Sequence, residues 1–195
     1  MYEEKTFLSV EKEITGISRV TIEQHYKLYQ GYVRKANEIM DRLKQLVVDP
    51  AQSNPTYSEL RELKVELAFA IGGVKNHELY FEHLGGEGGE PTGMIAELIA
   101  RDFGSFEAWR RDLKATGLAA RGWAWLAYDR DAQKLFNYIG DSQNTYPIWN
   151  AVPLVALDVY EHAYWIDHGT ARGDYIEAFF GSLDWNIVNQ RLSSV

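Results

Sequence analysis

Two long stretches of helical periodicity, separated by one short turn, constrain this chain more than any other feature. From Val20 to about Val48 the apolar residues Ile22, Tyr26, Tyr29, Tyr32 and Val33, then Ala36, Ile39, Met40 and Leu43, recur at the spacing of one helix face. Asp49, Pro50, Ser53, Asn54 and Pro55 supply turn chemistry, and a second periodic run from about Ser58 to Leu84 stops at Gly85-Gly86. Residues 1–86 are therefore expected to form a helical hairpin.

After the glycine-rich stretch from Gly85 to Gly93, one helix is expected from Met94 to about Phe103 and another from Ser105 through Phe106, Trp109 and Leu113. The pattern then changes. Trp123, Trp125, Leu126 and Tyr128 read as an aromatic strand, Asp129 to Gln133 as a turn, Leu135 to Ile139 as a second strand and Val152 to Leu157 as a third. Pro153 suits an edge or a strand start. The tail from Tyr160 is helical again in short pieces, broken at Gly169, Gly173 and Gly181. The order predicts an α+β fold: the hairpin, then a mixed segment, 87–195, with a small three-stranded antiparallel sheet and flanking helices.

Composition narrows the function classes. With 20 Lys plus Arg against 28 Asp plus Glu among 195 residues, the net charge of −8 argues against a nucleic-acid binder. No cysteine is present, so any metal must be held by His, Asp or Glu. The opening MYEEKTF lacks a basic segment followed by an apolar run, and no stretch has the length of a membrane span, so a soluble, cytoplasmic protein without a membrane partner is expected.

The five histidines are His25, His77, His83, His162 and His168. His25 lies on the first long helix, His77 on the second, and His162 four residues after Asp158, where the third strand passes into a helix. Three imidazoles and a carboxylate suit manganese or iron. Placement alone leaves His83 and His168 as further candidates. A di-iron bundle site needs Glu three residues before a ligand His, but Ile22, Val74, Tyr80, Val159 and Trp165 stand there. Phe81 breaks a zincin motif after His77-Glu78, and Asn144 stands where a nucleophile elbow wants Gly. The Gly85 to Gly89 run matches neither phosphate-binding glycine pattern.

Asn76-His77 with Leu79-Tyr80-Phe81, the run ending Gly89-Glu-Pro-Thr-Gly93, Gly122-Trp-Ala-Trp-Leu126 and Asp158-Val-Tyr-Glu-His-Ala-Tyr164 resemble the iron/manganese superoxide dismutases. The resemblance extends from about His25 to Trp185. It implies one metal per chain, held between the two segments by His25, His77, Asp158 and His162. It implies superoxide as substrate, and a homodimer or a tetramer. Gly73 and Gln143 stand where manganese-type members place a glycine and a loop glutamine whose amide hydrogen-bonds solvent at the metal; iron-type members place the glutamine on the second helix, so manganese is favoured. By the same resemblance Trp123 walls the site, Glu161 reaches across a dimer interface to the partner's copy of His162, and Arg172 and Tyr175 lie near the substrate entrance.

Three departures stand out. Tyr160 replaces the family's usual Trp, and Gly173 replaces a Pro after Arg172. In the first helix the family places a gateway His four residues after the first ligand and a catalytic Tyr eight after it, whereas this chain has Tyr29 at the first place and Tyr32 seven residues after His25. If the usual helix carries a π-bulge that this one lacks, Tyr32 still reaches the catalytic position. The expected activity is superoxide dismutation, with Tyr32 and Gln143 catalytic. The alternative is a dismutase-like metal-binding protein of weak or altered activity.

Overall fold

The computed structural model describes residues 1–144 and 148–195. A short helix α1 (Leu8–Glu11) precedes the hairpin of α2 (Arg19–Gln45) and α3 (Glu59–Glu82). Helices α4 (Met94–Phe103) and α5 (Phe106–Ala119) lead into strands β1 (Trp123–Asp129), β2 (Lys134–Gly140) and β3 (Ala151–Asp158). A 3-10 turn (Glu161–Ala163) and helices α6 (Trp165–His168), α7 (Arg172–Phe180) and α8 (Trp185–Leu192) complete the described chain. None of its helices is long and apolar enough to cross a membrane.

Side-chain caps set the helix starts. Ser18, Ser58 and Ser105 accept the backbone N–H of Thr21, Arg61 and Ala108, and Asp184 accepts those of Asn186 and Ile187. Helix α2 stops at Gln45, short of the expected Val48: Val47 and Val48 are exposed with no core to join, and Asp49-Pro50 begins a 3-10 turn. Helix α3 stops at Glu82, and the chain stays buried through His83 to Leu84, which bridges Leu183. Gly169 and Gly181 end helices as expected, but Gly173 does not break one; it lies in the first turn of α7, where the N–H groups need no helical partner.

The sheet order is β2-β1-β3, both pairings antiparallel. Strand β1 is central and buries Trp123, Ala124, Trp125, Leu126 and Ala127. Pro153 lies within the edge strand β3, where Leu126 faces Val155 but Ala127 faces Pro153, so Leu154 is the extra residue of a bulge. The buried core runs without interruption from hairpin residues such as Val33 and Val74 to Trp109, Leu157 and Phe179.

An N-terminal strap, without a periodic signal of its own, crosses the hairpin. Asn37 accepts from Tyr2 N–H and donates to Tyr2 C=O, both at 2.8 Å. Tyr29 Oη accepts from Lys5 N–H at 2.9 Å, and Phe7 is buried against Tyr29 and Phe81.

Side chains from neighbouring helices also satisfy the free sheet edges. Asp102, with a side chain only 4% exposed, accepts Leu135 N–H of β2 at 2.8 Å and a bidentate pair from Arg101. The Arg101 bonds hold its carboxyl below the usual 3.8, so its stabilisation is complete above that value and is lost as pH falls through the lowered one. Asp102→Ala leaves a strand N–H unpaired and is expected to cost about 2 kcal/mol in urea unfolding at pH 7. The deficit should shrink below pH 4; a deficit unchanged at pH 3 counts against this account.

Candidate metal centre

Four segments remote in sequence deliver His25 from α2, His77 from α3, Asp158 from the end of β3 and His162 from the 3-10 turn. Each offers one ligand atom, and these four atoms lie within 4.8 Å of one another. His25, His77 and Asp158 have side chains with no exposure, whereas that of His162 is 30% exposed. The Nε2 atoms of His25 and His162 each lie 3.1 Å from Asp158 Oδ2, and His77 Nε2 lies 3.7 Å from it. Asp158 Oδ1 is occupied elsewhere, accepting Tyr160 N–H at 2.9 Å.

The donor set fits a metal ion. His77 Nδ1 lies 2.6 Å from the Gly73 carbonyl, which can only accept, so Nδ1 carries the proton and Nε2 presents a lone pair. Buried without a hydrogen-bond partner, that Nε2 faces the other donors. Burial, followed by the neighbouring His25, pushes the His77 pKa down to about 3; burial also lowers that of His25, against the pull of Asp158. Both rings are thus neutral at neutral pH, the form a metal requires. Burial opposes ionisation of Asp158, but His162 and His25 outweigh it and hold the carboxyl well below its usual range.

A hydrogen-bonded line runs beside the cluster. Trp123 Nε1, which can only donate, lies 3.1 Å from Gln143 Oε1 and thereby turns Gln143 Nε2 toward Tyr32 Oη, at 3.4 Å. The Trp123 ring meets His77 edge-on at 5.2 Å, and the Tyr32 ring lies 5.3 Å from His77. Tyr160 stacks on His162 at 5.3 Å, so an aromatic wall persists without the indole. Of the two competing tyrosines, Tyr32 is the one that meets Gln143; Tyr29 donates to Glu78 at 3.1 Å and accepts from Lys5.

Of the expected entrance pair, Tyr175 is buried and Arg172 partly buried. Tyr175 is fully buried, its hydroxyl 3.3 Å from that of Tyr80, because α7 turns this face into the core. Arg172 starts α7 and donates to Ala120 C=O, which ends α5, and to Tyr164 Oη. Neither lies free in a surface loop. Glu161 is exposed beside Trp165 and Ile166, which are 50% and 55% exposed. His168 is apart from the cluster, its Nε2 2.7 Å from Gly16 C=O, and His83 Nε2 accepts a backbone N–H.

Residues 15–85 match the model for iron/manganese superoxide dismutases, alpha-hairpin domain, and residues 91–191 match the model for the C-terminal domain of the same enzymes. The chain belongs to the iron/manganese superoxide dismutase family. An iron superoxide dismutase of Aquifex aeolicus (strain VF5) is 42% identical over 183 residues, 92% of this chain and 86% of the relative. A manganese superoxide dismutase of Haloferax volcanii is 46% identical over 173 residues, 83% of this chain and 79% of the relative. An iron superoxide dismutase of Methanothermobacter thermautotrophicus is 35% identical over 176 residues, 88% of this chain and 83% of the relative. Family membership makes the chain an oxidoreductase with iron or manganese as its metal, and similar relatives carry either name.

Reading from residue types missed Asn76, whose Nδ2 donates to the Gln143 carbonyl at 3.0 Å. It also missed Gly72, where a Cβ would collide with that same carbonyl. A signal existed: the pair Gly72-Gly73 lies one helical turn before the pair Asn76-His77 on α3. At Gly73 a Cβ would come within 2.5 Å of the Tyr32 ring. Gly73→Ala is therefore expected to displace Tyr32, break its bond to Gln143 and cost about 1–3 kcal/mol of stability. A crystal structure of the variant with Tyr32 in place would refute this.

Proposed function

We propose that this chain dismutes superoxide at one manganese ion held by His25, His77, Asp158 and His162, where the hairpin segment 1–86 meets segment 87–195. The convergence of three imidazole nitrogens on one buried carboxylate oxygen, with His77 Nε2 left unpaired, carries this reading. When bound, the metal supplies the one-electron redox change. Overall, two superoxide ions and two protons give dioxygen and hydrogen peroxide.

The chain's own groups must deliver those protons. Tyr32 is half-buried, and its hydroxyl meets the buried Gln143 amide, which Trp123 holds in orientation. Burial and then the negative charge of Asp158 raise the Tyr32 pKa, against the bond to Gln143, so its phenol keeps its proton at neutral pH. It can donate a hydrogen bond to an incoming anion. A groove of about 800 Å³ between α2 and α3 reaches Tyr32 and gives a small ion a route to it. Trp123, fully buried, meets His77 edge-on, and Tyr160 stacks on His162, so both present aromatic surface to the cluster. Tyr29, at the gateway position, uses its hydroxyl on Lys5 and Glu78, so protonation of the product is proposed to limit turnover.

Manganese is favoured because the Tyr32 ring fills the space above Gly73, leaving no room there for the glutamine of iron-type members. Metal analysis paired with superoxide turnover tests the proposal. One equivalent of metal and fast turnover in the manganese form are expected, and both should vanish in His77→Ala. Tyr32→Phe should keep its metal and turn over several-fold more slowly, while Tyr29→Phe affects chiefly stability. Full turnover in metal-free protein, or the reverse ranking of the tyrosine variants, sinks this reading.

The proposed working unit is a homodimer in which Glu161 meets the His162 of a second copy. Glu161 adjoins His162, the one partly exposed imidazole of the cluster, and with Trp165 and Ile166 a few residues on is exposed, a surface that a two-fold axis can cover with its own copy. Glu161→Ala should weaken association and metal retention together in sedimentation and dialysis. A tight, fully loaded mutant dimer would show Glu161 to be an ordinary surface acid.

A further inference from the structure

His83 is fully buried, yet it lies outside the ligand cluster and the mechanism leaves it without a task. It stands immediately after α3, six residues beyond His77. Its Nε2 accepts the backbone N–H of Ala156 at 2.9 Å. That bond fixes the tautomer, since an N–H donor requires a lone pair on Nε2 and leaves the proton on Nδ1. Nδ1 has no hydrogen-bond partner, and the ring meets those of Tyr80 and Phe179 edge-on. A buried imidazole held in this way serves as a backbone acceptor.

The bond's position gives it meaning. Ala156 lies two residues before Asp158 on β3, whose strand partner is β1 alone. The Ala156 N–H points to the free edge of the sheet, toward α3, and takes its partner from the helix that also carries His77. Arg191 makes a second link, donating to Pro153 C=O of β3 at 2.8 Å and to Glu82 of α3 at 3.4 Å, but it acts five residues from Asp158. His83 is the nearer clamp. Helix α3 therefore delivers one imidazole to the metal cluster and a second to the strand that carries the cluster's carboxylate.

We infer that His83 is a positioning residue that sets the distance between His77 and Asp158 by pinning β3 to the end of α3. The inference rests on the metal site proposed above and assigns a task to a residue outside it. A small slide of β3 along α3 moves Asp158 Oδ2 relative to His77 Nε2 while leaving the β1–β3 ladder intact, and the His83–Ala156 bond opposes that slide directly.

The test compares His83→Phe, which keeps a ring but removes the acceptor, with His83→Gln, which returns an acceptor near the Nε2 position. Three quantities are read on the manganese-loaded protein: the rate of metal release to a chelator, the electron paramagnetic resonance spectrum, and hydrogen exchange at the Ala156 amide. His83→Phe should release manganese on the order of 10-fold faster, the low end for losing a group that orients a ligand, with an altered spectrum and faster Ala156 exchange. His83→Gln should restore all three. Should His83→Phe not fold, His83→Asn takes its place, since its amide falls one methylene short of Ala156.

A His83→Phe protein with a lowered unfolding temperature but wild-type metal release and spectrum would make His83 a packing residue and overturn the inference. Asp158→Asn is the control for the site itself. If that variant holds manganese as well as the wild type, the four-residue site is wrong. If it is empty while His83→Phe is unaffected, only the role of His83 fails.

Discussion

A carboxylate with no exposed side-chain surface is the constraint on which the rest of this structure depends. Taking Asp158 out of water costs several kcal/mol unless its oxygens are met by donors or a cation. Oδ1 accepts the Tyr160 N–H, and Oδ2 lies among three imidazole nitrogens, where a cation shared with them would compensate its charge. No single segment could do this. Two imidazoles must come from the facing sides of the hairpin and one from the residues after β3, so stabilising Asp158 requires the hairpin to dock on the sheet. The organisation of the core follows, with the same buried cluster extending from α2 and α3 through β1 and β3 to α7.

Docking also leaves two sheet edges with backbone donors and no strand to accept them. The solution at each edge is a polar side chain from the end of a helix: Asp102 closes α4 onto Leu135 of β2, and His83 closes the end of α3 onto Ala156 of β3. A buried edge N–H without a partner is costly, so these acceptors stabilise the sheet and deny its edges to another chain. Because the sheet has only three strands, its edges are never far from its centre. The β3 edge lies two residues from Asp158, so what closes the edge also holds the metal site.

Periodicity made the hairpin, the two following helices and the three strands legible, because each buries one face of a regular element. Ser58 and Ser105 marked where helices begin, for the local reason that each hydroxyl accepts a nearby backbone N–H. The N-terminal strap was not legible: its hold on the hairpin comes from Asn37, Tyr26 and Tyr29, which are remote in sequence and ordinary as residue types. Tyr175 was placed by resemblance alone, which says nothing about whether a short helix turns a given face inward. Histidine placement could not separate His83 from a ligand either. Only tertiary contact shows that its lone pair is already taken by Ala156.

The same limit explains why the first helix looked defective as a pattern and is not so as a structure. Helix α2 is α-helical throughout from Arg19 to Gln45. At about 100° per residue, Tyr32, seven residues after His25, returns to within about 20° of its direction, whereas a residue eight later would point about 80° away. A seven-residue spacing is therefore what an unbroken helix needs to place a phenol beside the same cluster, and the eight-residue spacing would need a local bulge. Tyr29, four residues after His25, lies about 40° to the other side, toward Glu78 and the strap. The straight helix thus sends the Tyr32 hydroxyl to Gln143 and the Tyr29 hydroxyl to Glu78 and the N-terminal strap.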